Sequence, residues 1–257
     1  MKLSPENRHI SPLLICRNLS KTFCVRGRQI PVFSNVNLSV QPGELVVISG
    51  RSGSGKSTLL QIMAGLDWPT TGSVTLNNHA LAKLSNNALS QLRQNTTGVI
   101  FQHFNLLPSW TALENVQAAL YHSSLKRIER LNRARTLLTE LGLGQRLHHL
   151  PIELSVGQQQ LVAVARALVH SPAIVFADEP CGDVDPETGK EIIDYLIRCV
   201  KKQNCTLIVA THGPFPLHVA DNVLHLASGE LLDSERDGTR TTQNIHKLSA
   251  APKRIGI

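Results

Sequence analysis

The residues with the clearest chemical potential form a glycine-rich segment, residues 50–58, with the sequence GRSGSGKST. It fits the pattern G-x-x-x-x-G-K-[ST] and lies where that pattern requires, between a predicted strand and a predicted helix. Its glycines let backbone N–H groups surround a phosphate chain, and the helix N-terminus favours negative charge. The predicted phosphate-binding residues are Gly50, Ser52, Gly53, Ser54, Gly55, Lys56, Ser57 and Thr58. Lys56 is expected to reach the β- and γ-phosphates and the Ser57 hydroxyl to bind Mg²⁺; the alternative is a glycine-rich turn that precedes Lys-Ser by chance.

A second group of candidate residues ends another apolar run, IVFADE at residues 174–179. Asp178 is predicted to hold Mg²⁺ through water, and Glu179 to polarise the water that attacks the γ-phosphate. Acidic residues often end strands, so the pair alone is a weak signal. It gains weight because it follows the glycine-rich segment by about 120 residues.

Strands that alternate with helices predict an α/β core with a mainly parallel sheet. Strands are expected at residues 13–16, 30–33, 36–40, 45–49, 173–177 and 206–210, with short ones near Val223 and Glu230. Residues 21–29 read as a turn-rich basic segment, and helices are expected at residues 58–65, 88–94, 112–150, 155–170 and 187–202. The predicted domain division is a polar arm at 1–12, one α/β domain at 13–232 and a basic flexible tail at 233–257. A mostly helical stretch at roughly 88–165 is expected to be an insertion into that domain.

The composition excludes several other classes of protein. The chain has 257 residues, 42% hydrophobic, with five cysteines and no C-x-x-C pair, which is unlike collagen, coiled coils, disordered chains and zinc knuckles. No run of about 18 apolar residues is present and the first residues are polar, so we expect an intracellular chain without a membrane span. The net charge of +7 is scattered among few aromatic residues, which favours a solvated or membrane-facing surface and no nucleic-acid partner.

Further segments, in order along the chain, resemble the motifs of the ATP-binding-cassette (ABC) ATPases. Residues 154–158, LSVGQ, precede an apolar helix and are similar to the LSGGQ signature of that family. Gln102 matches the glutamine that senses Mg²⁺ and the γ-phosphate, and His212 matches the switch histidine. Residues 182–185, GDVD, are similar to the loop that crosses the dimer interface, and Phe23 is similar to the aromatic residue that stacks on adenine.

The resemblance covers residues 13–232 and implies a fold, two cofactors and a dimer. The implied fold is that of a P-loop NTPase of the ABC ATPase type, with a small antiparallel β subdomain and an inserted helical subdomain. The implied cofactors are ATP and Mg²⁺, bound between two copies arranged head to tail. The implied catalytic residues are Glu179, His212 and Gln102; the implied metal site comprises Ser57, Gln102 and Asp178; and the further nucleotide contacts are Phe23, Ser155, Gly157, Gln158 and Asp185.

Four of these residues also have purely structural interpretations. A histidine after a strand is often satisfied by its surroundings, Gln102 suits a polar surface, and Phe23 suits a core. Asp185 suits the cap of a helix opened by proline. The order of the motifs favours the functional interpretation for the set as a whole.

Two residues depart from the family pattern. Val156 replaces the first glycine of the signature, and Leu161 stands where an arginine usually follows the glutamines. A β-branched residue disfavours positive φ, so we expect weaker dimer closure. These departures keep open an alternative, a nucleotide-dependent regulatory subunit of a membrane complex with weak ATPase activity and no transport.

The chain carries one cassette, so the resemblance implies a free-standing ATPase subunit that docks onto an integral membrane permease. Residues 101–116 are similar to the same segment of bacterial lipoprotein-release, macrolide-export and heterocyst-glycolipid-export ATPases. In that group the segment between Phe101 and Thr111 borders a groove for a coupling helix of the permease. The implied location is peripheral, on the cytoplasmic side of the bacterial inner membrane, with export or extraction of a substrate. Trp110 suits either the permease contact or the helical subdomain's own core.

Overall fold

The computed structural model describes residues 11–213 and 215–233, so the predicted arm and tail lie almost entirely outside the described residues. The described strands are β1 (Leu14–Val25), β2 (Arg28–Val40), β3 (Leu45–Ser49), β4 (Thr71–Leu76), β5 (His79–Ala80), β6 (Thr97–Ile100), β7 (Ile174–Asp178), β8 (Thr206–Thr211), β9 (Asn222–Ala227) and β10 (Glu230–Asp233). The described α-helices are α1 (Lys56–Met63), α2 (Asn86–Thr96), α3 (Ala112–Ala118), α4 (Arg127–Glu140), α5 (Val156–Leu168) and α6 (Pro186–Gln203).

Six of these strands form the core sheet, in the order β10-β9-β3-β8-β7-β6. All neighbours in it pair in parallel except β10, which runs antiparallel to β9. The strands read as continuous apolar runs because both faces are covered. Val47, Val175 and Val209 share one core with α3 to α6, whereas Ile48 and Phe176 share the other core with α1 and the small sheet. This arrangement confirms the predicted mainly parallel α/β core.

The small sheet is antiparallel, as the resemblance implies, and its strand order is β2-β1-β4-β5. Its first hairpin differs from the prediction, because residues 21–25 continue β1 and only Arg26 and Gly27 form the turn. Both turn residues have positive φ, 50° and 78°, as a two-residue hairpin with the favoured twist requires. The two strands expected at 30–33 and 36–40 are one strand. Asn35, at a φ of 53°, interrupts its alternation.

The stretch predicted to be mostly helical contains one strand of the core sheet, β6, which the sequence does not predict. It has only four residues, and the second is Gly98. A Cβ at this position would overlap the carbonyl oxygen of Ala167, so the glycine lets α5 pack directly on the strand. The helical segment expected at 112–150 divides into α3, α4 and turns. The boundaries of a helical subdomain stay a prediction.

None of the described helices combines the length and the apolar character that crossing a bilayer requires. All five cysteines are free thiols, and Cys16, Cys199 and Cys205 are buried. Burial raises the pKa of the Cys16 and Cys205 thiols to about 12, so these residues pack as small apolar groups.

Candidate nucleotide-binding site

Four neighbouring parallel strands deliver the predicted site residues to one edge of the core sheet. The glycine-rich loop follows β3 and His212 follows β8. Asp178 ends β7, Glu179 comes directly after it, and Gln102 follows β6. Because the carboxyl ends of parallel strands meet at the same edge, residues far apart in sequence become neighbours there. The strand order, rather than any local pattern, therefore assembles this edge.

The glycine-rich loop is shaped for a phosphate chain. Gly50 and Gly55 have φ values of 154° and 100°. A Cβ on Gly50 would lie 2.5 Å from the Leu226 carbonyl oxygen, and one on Gly55 would lie 2.5 Å from Val32 Cγ1. The Ser54 hydroxyl is buried and has no hydrogen-bond partner among the described residues. The tight backbone, this unpaired hydroxyl and the start of α1 at Lys56 fit a bound polyphosphate.

Lys56 is the buried cation of this edge. Its Nζ donates hydrogen bonds to the carbonyl oxygens of Gly50, at 2.9 Å, and Arg51, at 3.1 Å. The same atom lies 3.7 Å from Glu179 Oε1, and both side chains are almost fully buried. The ammonium group therefore links the end of the glycine-rich loop to its start, and it balances the charge of Glu179, the predicted catalytic base.

Ser57 and Asp178 form a pair of oxygen ligands suited to Mg²⁺. Ser57 Oγ donates a hydrogen bond to Asp178 Oδ1 at 3.0 Å. Among the described residues no cluster of three His, Cys, Asp or Glu side chains is arranged to hold a metal. Mg²⁺ typically takes one or two protein ligands and completes its shell with phosphate oxygens and water. The hydroxyl–carboxylate pair beside the loop fits that preference.

Burial raises the pKa of Asp178; the hydrogen bond from Ser57 opposes this effect, and the charge of Glu179 adds to it. A raised carboxyl pKa in the folded state means that stability falls as pH rises from the unfolded value through the folded one. We therefore expect Asp178→Asn to stabilise the nucleotide-free protein at pH 7.5, by about 2–4 °C in Tm for each kcal/mol of relieved charge burial.

Thermal unfolding of both proteins between pH 4 and 8 measures this effect. The difference in Tm between the two proteins should shrink as the pH falls toward the ordinary aspartate pKa. The Asp178 carboxyl of the unmodified protein then becomes protonated in both the folded and the unfolded state. A Tm below that of the unmodified chain at pH 7.5 would show that Asp178 is satisfied as an anion. Asp233→Asn, on β10, is the matched control.

Glu179 is held from several sides by its neighbours. Its Oε1 lies 2.6 Å from His212 Nδ1, and its Oε2 accepts the backbone N–H of His212 at 3.2 Å. The Glu179 backbone has a φ of 46°, an uncommon conformation for glutamate. Its own N–H donates to the Ala210 carbonyl on β8 at 2.9 Å, which fixes this conformation. The carboxylate is therefore oriented in advance, as a positioned base requires.

Gln102 and Phe23 are two further residues matched to the family, and their roles stay predictions. The side chain of Gln102 makes no hydrogen bond to a described residue, and its neighbour Phe101 lines a small cavity with Ser57 and Asp178. Phe23 is 41% exposed, which excludes the core interpretation. Lys21 Nζ lies 4.7 Å from its ring centroid and is fixed by a 2.7 Å ion pair with Asp67.

Among the described residues, no hydrogen bond or ion pair joins the signature to Lys56 or Glu179. Ser155 caps α5 in a reciprocal pair with Gln158, and α5 packs on α3, α4, α6 and β6. A Cβ at Gly157 would lie 2.9 Å from the side chain of Thr188, so this glycine allows α5 to approach α6. Asp185 accepts the Thr188 N–H at 2.9 Å and caps α6, as its structural interpretation predicts. Its role at a dimer interface stays a prediction.

The predicted conflict between the valine at position 156 and a positive φ is wrong. Val156 is the first residue of α5, and its φ is not positive, so the β-branched side chain creates no backbone strain there. Leu161, in place of the usual arginine, is buried in the core. The effect of both residues on turnover stays untested.

We expect Val156→Gly to change the turnover of ATP by less than about threefold, because a glycine at this position costs helix stability of at most about 1 kcal/mol and relieves no strain. Steady-state phosphate release measures this, with Val156→Ala alongside. An increase of about tenfold or more in the glycine variant alone would show that a conformation restricted by valine limits the reaction.

Two polar residues of this region, Arg166 and Asn115, are not predicted from the sequence. Both hold the backbone that follows Gln102. The signal for Arg166 is a lone charge inside the apolar run of residues 161–168. Nothing in the sequence marks Asn115, whose importance comes from its complete burial.

A phosphate-binding loop, an oxygen pair for Mg²⁺ and a buried, oriented carboxylate define a nucleoside-triphosphate hydrolase. The model of the ABC transporter family matches residues 33–182. The macrolide export protein MacB of Marinobacter nauticus is 40% identical over 222 residues, which are 86% of this chain and 34% of that protein. The lipoprotein-releasing system protein LolD of Pseudomonas fluorescens is 42% identical over 220 residues, 86% of this chain and 97% of that protein.

A dimeric ATP-binding cassette, MJ0796, with ADP and Pi in a post-hydrolysis state, superposes with a TM-score of 0.79 and is 38% identical. The match covers 85% of this chain and 96% of that one. The chain belongs to the ABC transporter family and is an ATP-hydrolysing subunit. It spans about a third of the length of MacB and nearly the full length of LolD.

Proposed function

We propose that two copies of this chain close head to tail around two molecules of ATP with Mg²⁺. The observation that carries the proposal is the separation of the site within one chain. Lys56, Glu179 and His212 meet at one edge of the sheet, whereas Ser155 and Gly157 sit at the start of α5. A second copy is the simplest source of the missing signature, and the dimeric cassette to which this chain is similar supports that source.

In the proposed reaction, water attacks the γ-phosphate in line with the leaving ADP oxygen. Glu179 accepts a proton from the water, a new P–O bond forms and the bond to ADP breaks. Lys56 balances the negative charge of the phosphates, and His212 keeps the carboxylate aimed. Ser57, Asp178 and Gln102 would hold Mg²⁺, which would neutralise phosphate charge. Positioning and charge neutralisation supply most of the barrier reduction.

We further propose that closure drives an integral membrane permease on the cytoplasmic side of the bacterial inner membrane, for export or extraction of a substrate. The similarity to LolD, a protein named for lipoprotein release and matched over nearly its full length, supports this role. It favours a transport role over the regulatory alternative. The proposed permease contact lies between Phe101 and Thr111, where Trp110 is half-buried against Tyr121.

Mixing two inactive variants tests the composite site. Lys56→Met removes one half of each site and Ser155→Ala removes the other half. In a mixed dimer both changes fall in the same site and leave the second site intact. Equal mixing should therefore restore about a quarter of the unmodified turnover, because about half of the dimers are mixed and each has one working site.

A mixture as inactive as its two components would contradict the head-to-tail dimer. Turnover per chain should also rise with protein concentration in the unmodified protein. A specific rate independent of concentration down to the lowest detectable level would show that one chain suffices.

A further inference from the structure

The segment at residues 104–111, here called the docking segment, begins with an unusual backbone. Phe104 and Asn105 both have positive φ, 56° and 50°. Two consecutive residues other than glycine in this conformation persist only where the surroundings hold them. The docking segment begins two residues after Gln102 and contains most of the proposed permease contact.

Arg166, on α5, provides the holding contact at this end of the docking segment. Its Nη2 donates to the carbonyl oxygen of Phe104 and its Nη1 to that of Asn105, both at 2.6 Å. Burial lowers the pKa of the guanidinium, and no described carboxylate lies within ion-pair distance of it. Arginine suits this contact better than any other side chain, because its planar guanidinium presents several N–H donors that can reach two carbonyl groups at once.

Asn115, on α3, holds the other end. It is fully buried; its Oδ1 accepts the Leu107 N–H at 2.8 Å, and its Nδ2 donates to the carbonyls of Leu107, Trp110 and Thr111 at 2.9–3.1 Å. Helices α3 and α5 pack on each other. The docking segment is therefore attached at both ends to α3 and α5, while β6 of the core sheet ends at Ile100, shortly before it.

We propose that Arg166 is a positioning residue that makes the docking segment follow the movement of α5. The inference rests on the proposed function, in which the start of α5 contacts ATP held by the other copy. Arg166 lies nine residues after Gly157, about 14 Å along a continuous helix. Displacement of the signature by ATP therefore reaches the permease contact through one helix and two hydrogen bonds.

Trp110 allows a direct test without a permease. The chain has two tryptophans, so Trp68→Phe leaves Trp110 as the only one. In the Trp68→Phe, Glu179→Gln chain we expect Mg·ATP to induce dimers and to change the emission and acrylamide quenching of Trp110. Adding Arg166→Met should reduce that change at least about fivefold, while dimers still form on a sizing column.

Two further variants make the test specific. Arg133→Met is the control, since Arg133 is an exposed arginine on α4 that donates to Ser171 Oγ at 2.6 Å. It should leave the full response. Arg166→Lys keeps the charge and the helix but not the fork, so about half of the response should remain; this variant also serves if Arg166→Met does not fold.

The outcomes separate this inference from the function on which it rests. A full Trp110 response in Arg166→Met or Arg166→Lys would overturn the role of Arg166. So would dimers with intact Arg166 and no Trp110 response to Mg·ATP. Absence of Mg·ATP-dependent dimers in the parent chain would instead contradict the proposed dimer itself.

Discussion

Replacing Glu179 by glutamine is expected to lower ATP turnover by roughly 10²–10⁴-fold and to leave Mg·ATP binding intact. Glutamine keeps the size of the side chain and its contact with His212 N–H, but it cannot accept a proton from water. The change also removes a negative charge next to the phosphate loop, since Glu179 Oε1 lies 3.7 Å from Lys56 Nζ. Affinity for ATP should therefore stay equal or rise. Phosphate release in a single turnover and equilibrium binding of a fluorescent ATP analogue measure the two quantities.

Glu230→Gln is the matched control, because Glu230 is an exposed glutamate on β10. Its turnover should equal that of the unmodified chain. Retention of more than about a third of the turnover in Glu179→Gln would remove Glu179 as the base. If Glu179→Gln loses Mg·ATP binding as well as turnover, the substitution has disturbed the folding of the site.

Replacing Lys56 by methionine is expected to reduce both Mg·ATP affinity and turnover by roughly 10²–10³-fold, the usual effect of removing one preorganised contact to developing charge. The same change should also destabilise the nucleotide-free protein, by less than the cost of an uncompensated buried charge, about 3–5 kcal/mol, because Glu179 loses its ammonium partner but keeps its 2.6 Å contact with His212. Lys56 and Glu179 are 5% and 6% exposed, so water screens this pair poorly. Isothermal titration with Mg·ATP and urea unfolding measure the two effects.

Stability separates the roles of the two buried charges at this edge. Lys56→Met should lower the free energy of unfolding at pH 7.5, whereas Asp178→Asn should raise it. Lys83→Met, at an exposed position after β5, should change neither binding nor stability. Mg·ATP affinity of Lys56→Met within about threefold of the unmodified value would contradict the proposed contact with the phosphates.

The strands that sequence predicts best are those covered on both faces. Residues 45–49, 174–178 and 206–211 are short apolar runs rich in β-branched residues, and such runs have few alternatives to a buried parallel strand. Strand β6 carries no such signal, because its Gly98 is needed for the close approach of α5. The outer hairpin is also hard to predict, since its basic tip leaves the core and loses the alternation of buried residues.

The candidate site likewise has residues that the sequence predicts and contacts that it does not. The glycine-rich loop and the acidic pair are predictable because the chemistry requires those residue types at a fixed place relative to a strand. The contact of Glu179 with His212 depends on β7 and β8 being neighbours, which only the folded sheet determines. The hydrogen bonds from Arg166 to the carbonyls of Phe104 and Asn105 depend on positive φ at those two residues. Neither residue type predicts that conformation. Long-range contacts and local backbone exceptions thus set the limit of prediction.

The parallel pairing of β6 with β7 places Ile100 opposite Ala177. Because the two strands run in parallel, the chain leaves β6 at Ile100, at the carboxyl edge of the sheet. It re-enters β7 at Ile174, beside Thr97 at the opposite edge, so the segment between them is a crossover. The two ends of this crossover are fixed by opposite edges of the sheet, so any exchange of the segment must keep both junctions. Chimeras that exchange residues 101–173 between relatives should therefore acquire the permease preference of the donor together with the donor's glutamine at position 102 and its signature, while Lys56, Glu179 and His212 stay those of the recipient.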